Sequence, residues 1–326
     1  MSLIRTLLRT VSACTALAAT ALATAPGAAA QGGWKPERPV TVVVPYSPGG
    51  GTDALARHVS KELARIWGQN VVVENTPGAD GLIGSRRVID AKPDGYTLLV
   101  QLPSLTLNRH LPGFKGADPS AQLIPISMFA SLAGVVVVNS AIPGNTLPEV
   151  VKHCRTAAQP CSYGTTENIA RLQGQMLAVD LPSMVVVNYK GGGQLITDLV
   201  GNSVNMALMG YTAVIPYQQS GKLRIVMSAG RKRSPVLPDV PTAAESGYPQ
   251  LEAETWYGLF APLGTPQAVI DGVAAAVRDA VKEETYLKSI AVLGASPVGN
   301  TPAEFAARVR EDGERFGELV RRFPIQ

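Results

Sequence analysis

The most constraining feature is a repeated order: a short, wholly apolar β-branched run, then a glycine-rich turn, then a helical pattern. Val40 to Val44 is a continuous run of the kind buried on both faces of a parallel sheet. It leads through Pro45-Tyr46-Ser47-Pro48 into Gly49-Gly50-Gly51, then to the helix-start residues Thr52 and Asp53. Leu55, Val59, Leu63 and Ile66 follow at helical spacing, and Gly68 ends that helix. Val71 to Val73 is a second run, closed by Thr76-Pro77-Gly78-Ala79-Asp80-Gly81 and a short helix to about Ala91. Tyr96 to Val100 is a third. Strands alternating with helices in this way predict a parallel sheet covered on its faces.

A second unit of the same kind follows. Val135 to Val138, Met184 to Val187, Val204 to Met209 and Leu223 to Ser228 read as strands. Leu147 to Ala158 carries a helical pattern, and Cys161 to Gly164 leads into the strand-to-helix turn Thr165-Thr166-Glu167. Asn188-Tyr189-Lys190-Gly191-Gly192-Gly193 precedes a helix from Gln194 to about Val200. Pro235, Pro238, Pro241 and Pro249 mark an irregular stretch before a strand from Thr255 to Ala261. The C-terminal part is helical, and Thr301-Pro302-Ala303-Glu304 starts its last helix with a capping box. With 326 residues the chain is long enough for two domains.

The N-terminus reads as an address. Arg5 and Arg9 precede an apolar stretch from Val11 to Ala23, and Ala28-Ala29-Ala30 offers a signal-peptidase site before Gln31. That stretch is short of the roughly 20 residues needed to span a bilayer. Residues 1–30 are therefore expected to be a signal peptide and the remainder an exported, periplasmic protein. Basic residues outnumber acidic ones 29 to 25, and two of the excess, Arg5 and Arg9, leave with the leader. The remaining excess of two, with no basic stripe beyond Arg231-Lys232-Arg233, argues against nucleic acid as a partner. Cys154 and Cys161 remain as a pair in an oxidising compartment, open to a disulfide or to two buried thiols. His58, His110 and His153 have no ligand spacing, so no metal is expected.

Three glycine clusters, Gly49 to Gly51, Gly78 to Gly81 and Gly191 to Gly193, lie between a strand and a helix. They put bare amides at the positive ends of helices, on the sheet edge where open α/β folds bind ligands. A small anion is the ligand this pattern favours. Gly49-x-Gly51-x-x-Ala54, with Glu74 20 residues on, also fits a dinucleotide fingerprint. The prolines at 45 and 48 and the export signal weigh against that alternative of an exported oxidoreductase. No P-loop, Gly-x-Ser-x-Gly elbow or His-Glu-x-x-His is present, which favours binding without catalysis and without a cofactor.

Longer stretches carry a family resemblance. Arg38-Pro39-Val40-Thr41-Val42-Val43-Val44-Pro45-Tyr46-Ser47-Pro48-Gly49-Gly50-Gly51-Thr52-Asp53, Val72-Val73-Glu74-Asn75-Thr76-Pro77-Gly78-Ala79 and Pro93-Asp94-Gly95-Tyr96 resemble the Bug-type solute-binding proteins, receptors of tripartite tricarboxylate transporters. Tyr189-Lys190-Gly191-Gly192-Gly193, Gly221-Lys222-Leu223-Arg224 and Leu237-Pro238-Asp239-Val240-Pro241-Thr242 continue it in order. The resemblance implies a two-lobed periplasmic-binding-protein fold of the type II kind, each lobe a sheet flanked by helices and joined by crossing hinge strands. Lobe 1 is expected over 34–134 and 256–326, and lobe 2 over 135–255. It implies a monomer that takes a small carboxylate in the cleft and hands it to membrane permease subunits, or serves a sensor instead.

Carried over by position, Tyr46, Ser47, Gly50, Thr52 and Asp53 of the first loop and Ala79, Asp80 and Gly81 of the second would face the ligand. Asp53 itself reads better as a helix-start residue. Leu102 and Ser104 after the third strand, Thr165 and Thr166, Tyr189, and Gly210 with Tyr211 complete the implied set. Asp80 stands where family members usually have Gly, and Gly210 where many members carry an acid that can meet an amino or hydroxyl group. From these departures an amino-acid ligand is not expected; a less polar or bulkier acid is, with Tyr211 lining its pocket.

Overall fold

The computed structural model describes residues 33–189, 191–234 and 236–324. The expected signal peptide lies outside them. Among the described residues no helix is long and apolar enough to cross a membrane.

Strand β1 (Val40–Val44) lies between β2 (Val71–Asn75) and β3 (Thr97–Gln101), parallel to both, with Val42 opposite Val73 on one side and Leu98 on the other. Four of its five valine-rich positions are sealed from solvent, as a strand covered on both faces demands. Helix α1 (Gly51–Trp67) follows β1, and α2 (Leu82–Ile89) follows β2. A single turn, α3 (Ser104–Leu107), follows β3.

The sheet then changes direction. Strand β4 (Leu123–Asn139) runs 17 residues, about 55 Å at the usual rise, and serves both lobes. Its first part pairs antiparallel with β9 (Glu254–Pro262), which in turn pairs with β3. Its last part pairs with β7 (Met206–Gly210) on one edge and β8 (Leu223–Ser228) on the other. Beyond β7 lie β5 (Ser162–Thr165) and β6 (Val185–Asn188), all parallel. The short β10 (Ser296–Pro297) closes the free edge of β4 at Ala130 and Ser131. Only Val135 to Val138 of β4 is legible in the sequence, because the residues before it mix Ser, Pro and Met with the apolar positions and the strand is bulged there.

In the second lobe, α4 (Leu147–Thr156), α5 (Asn168–Asp180), α6 (Gly192–Val200) and α7 (Tyr211–Gln219) connect the strands. A disulfide joins Cys154 at the end of α4 to Cys161 just before β5. Helices α8 (Gln267–Ala280) and α9 (Glu284–Ala291) return to the first lobe, where they pack with α1 against β1, β3 and β9. Helix α10 (Pro302–Arg322) starts at Thr301, whose hydroxyl and Glu304 cap each other's backbone.

Helix α10 departs from the expected boundary. Phe305 and Val309 pack with Trp256 and Phe260 in the first lobe, but Phe316, Val320 and Phe323 pack with Val136, Val138 and Tyr163 in the second. Its apolar face continues through five turns, so one rigid helix serves both cores. The lobes are thus tied by β4, by the passage from β8 to β9, and by α10.

Candidate ligand cleft

The carboxyl ends of β1, β2 and β3 in the first lobe and of β5 in the second turn toward each other. At the end of β1, Tyr46 places its hydroxyl 2.8 Å from Ser104 Oγ and 3.3 Å from Gln101 Oε1. Gly81, with φ of 87°, passes against this hydroxyl so closely that a Cβ there would collide with it. Burial, followed by the negative charge of Asp80, holds the Tyr46 phenol well above its ordinary value. Tyr46 therefore stays a neutral donor.

Asp53 anchors the glycine loop. Its carboxylate accepts from the Gly49 amide, from Arg57 Nε and from Asn75 Nδ2, each at 3.0 Å. Burial alone would raise this acid, but the bonds from Arg57, Gly49 and Asn75 outweigh it and hold it ionised below its usual range. With its lone pairs used inside the loop, Asp53 shapes the turn. The first amides of α1 have no side-chain cap and remain available to an anion.

The turn after β2 carries strain. Ala79 and Asp80 both take positive φ, 48° and 50°, a region that costs a non-glycine residue about 1 kcal/mol or more. This conformation aims Asp80 across the cleft, where Asn168 Nδ2, at the start of α5, donates to Asp80 Oδ2 at 3.0 Å. Asn108 donates to the Asp80 carbonyl at 3.1 Å and accepts from Asn168 at 3.3 Å. Burial pushes the Asp80 carboxyl up, while the bonds from Asn108 and Asn168 resist it.

From the second lobe, Thr165 is buried, and its hydroxyl donates to the Glu167 carbonyl at 2.9 Å. Glu167 is the N-cap position of α5, yet its side chain makes no capping bond. The residue is exposed to solvent, with protein close around its carboxyl. Burial, then the charge of Asp80, pushes the Glu167 carboxyl up to about 7. Tyr257 of β9, raised by burial and then by Glu167, lies at the same focus.

The implied site residues thus divide. Tyr46, Asp80, Gly81 and Ser104 converge, with Thr165 facing them from the second lobe. Ser47, Gly50, Ala79 and Thr166 are exposed on the surrounding turns, and Thr52 is half-buried. Leu102 instead belongs to the first-lobe core, and its amide is taken by Gln101 Oε1 at 2.9 Å. Tyr189 directs its hydroxyl to Asp198 at 2.9 Å. Gly210 caps α7, and Tyr211 lines a separate cavity of about 460 Å³ beside the hinge, with Ser131, Gly294 and Arg231 to Ser234. The Arg231-Lys232-Arg233 triplet lies on an exposed loop, where Arg231 pairs with Glu252 and Glu311, and Arg233 with Glu245. Glu74, the acid of the dinucleotide fingerprint, is paired with Arg87 at 2.6 Å on the surface.

Sequence reading missed Gln101, Asn108, Asn168, Glu167 and Tyr257. Glu167 and Asn168 lie in the strand-to-helix turn already recognised at Thr165, so their position was a usable signal. Asn108 and Tyr257 carried none.

Two α/β lobes crossed by antiparallel strands, with strand-to-helix turns facing each other over a cleft, define the periplasmic solute-binding class of protein. Within that class the chain belongs to the tripartite tricarboxylate transporter receptor family, whose family model matches residues 55–324. The protein BugT of Bordetella pertussis is 32% identical over 88% of this chain and 89% of its own length. The structure of the periplasmic binding protein BugD is 30% identical, with a TM-score of 0.75 over 89% of this chain and 99% of that one. MatC from Rhodopseudomonas palustris, solved with bound malate, is 29% identical, with a TM-score of 0.74 over 87% of this chain and 99% of that one.

Proposed function

We propose that this chain is a periplasmic receptor that captures a small organic acid between its lobes and presents it to the permease of a tripartite transporter. The observation that carries this reading is the pairing of uncapped helix starts. The first turn of α1 in one lobe and of α5 in the other leave amides free on opposite walls of the same cleft. An acid held between them favours the closed form by its greater affinity for that form. Malate in the related MatC supports a carboxylate as the ligand class. No catalytic step is assigned, and the ion pair of Glu74 with Arg87 weighs against a dinucleotide.

Thermal shift and small-angle scattering with a panel of mono- and dicarboxylic acids test the proposal. At least one acid is expected to raise the melting temperature and shrink the radius of gyration. A panel without any response would overturn it. Uptake measured in cells with and without the chain then separates delivery to a permease from service to a sensor.

A further inference from the structure

Strand β3 ends on a buried amide. Leu98, Leu99 and Val100 are sealed apolar residues, and Gln101 after them is equally sealed from solvent. Burying a polar side chain costs free energy unless its groups are bonded, and an apolar residue would fill the place at lower cost. Both ends of this amide are bonded. Its Oε1 accepts from the Leu102 amide at 2.9 Å and from the Tyr46 hydroxyl at 3.3 Å. Its Nε2 donates to Ser85 Oγ at 2.9 Å and to the Gly81 carbonyl at 3.4 Å. Ser85, also fully buried, donates to the same carbonyl at 2.8 Å. The Leu102 amide can only donate and the Gly81 carbonyl only accept, so the Gln101 amide has a single orientation.

Every partner belongs to the turns that follow β1, β2 and β3 and wall the first-lobe side of the cleft, Ser85 standing in the first turn of α2. The contact has no slack: a Cβ on Gly81 would lie 2.8 Å from Gln101 Nε2 and 2.9 Å from the Tyr46 hydroxyl. Gly81 directly follows Ala79 and Asp80, whose positive φ persists only where surrounding bonds hold it. We infer that Gln101 is a positioning residue of the cleft. Out of reach of the solute, it sets where the Tyr46 hydroxyl and the turn Ala79–Gly81 stand before the solute arrives, so that these groups lose little freedom on binding. This rests on the receptor reading above.

Gln101→Met nearly keeps the side-chain volume and removes all four bonds. Affinities of malate, adipate, glutamate and benzoate are measured by calorimetry on the mature wild type and on this variant. Carbon-13 spectra of both chains labelled at tyrosine Cζ accompany them, the Tyr46 signal being the one absent from Tyr46→Phe. Acids that bind wild type are expected to bind Gln101→Met about ten-fold more weakly, the worth of one to two hydrogen bonds. The Tyr46 signal is expected to shift while the other tyrosine signals stay in place. Unchanged affinity overturns the inference, and so does an unmoved Tyr46 signal. A loss of affinity with tyrosine signals displaced throughout the molecule marks a loosened fold and overturns it too. Should Gln101→Met not fold, Ser85→Ala is judged by the same criteria, with a loss of about three-fold expected. Each of these failures leaves the receptor reading intact; a wild type that binds none of the four acids overturns both.

Discussion

Asp80 and Asn168 are 88 residues apart in the chain and joined by a 3.0 Å hydrogen bond across the cleft. This bond connects a strained turn of the first lobe to the helix start of the second, so it couples lobe closure to the state of the site. Asn168→Ala removes it and leaves the carboxylate of Asp80 short of a donor. A hydrogen bond to a partly solvated charge contributes about 1 kcal/mol. The ligand-free variant is expected to have a larger radius of gyration by small-angle scattering; an unchanged radius would show that the bond does not hold the lobes.

Ala79 is exposed and has positive φ, so its methyl group costs conformational energy without packing return. Replacing it by Gly relieves that strain, offset in part by the greater freedom of Gly in the unfolded chain. Ala79→Gly is expected to stabilise the protein by about 0.5 kcal/mol. Urea unfolding measures this, and a loss of stability would refute the strain.

Trp256, Phe260 and Phe305 form an aromatic cluster where β9 meets α10, with ring centroids 5.0 to 5.9 Å apart. Gly258 on β9 lets the Phe305 ring approach the strand, and a Cβ there would overlap that ring. Gly258→Ala is expected to cost about 2 kcal/mol by overpacking. Combining it with Phe305→Leu should recover part of the loss, and additive losses in the double variant would argue against the contact.

The raised carboxyl of Glu167 has a signed consequence. Between about 4.5 and about 7 the folded chain keeps a proton that the unfolded chain has released. Folding is therefore favoured as pH falls through that window and loses this contribution as pH rises to 7. Asp80 faces Glu167 and acts in the same direction, while Tyr46, Tyr163 and Tyr257 stay neutral there. His110, lowered by burial and then by Arg109, opposes the trend below 6.5. The difference between wild type and Glu167→Gln isolates the effect. Wild type is expected to gain stability relative to the variant from pH 7.5 to 5, and parallel profiles would contradict the assignment.

The disulfide between Cys154 and Cys161 closes a short loop leading into β5, the strand that carries Thr165 to the cleft. Loop-closure entropy puts its removal at roughly 2 to 3 kcal/mol. The double Cys→Ala variant is expected to show that loss in urea while still folding; identical midpoints with and without reductant would count against it.

Much of the fold was legible because its signals are local. The valine runs from Val40 to Val44 and Val71 to Val73 are buried parallel strands whichever partners they find. Thr301 and Glu304 announce the start of α10 by a cap contained within four consecutive residues. The first half of β4 was not legible, since its bulges and mixed residues make sense only against β9 and β10. The division of α10 between two cores was hidden for a related reason: Phe305 and Phe316 sit on one continuous apolar face, and helical periodicity does not say which core lies beneath each turn.

The candidate site divides along the same line. By itself the sequence determined two α/β units, glycine turns at the carboxyl ends of their strands, and membership of a receptor family. Those properties depend on neighbours within a few residues or on motifs read in order. Only the tertiary structure decided which turns meet. The crossing of β4 and the packing of α10 bring Asp80 to Asn168 and Glu167, and the same crossing carries Tyr211 into a different cavity. A contact between side chains 88 residues apart leaves no local trace, because it depends on how far two sheets are turned about a shared strand.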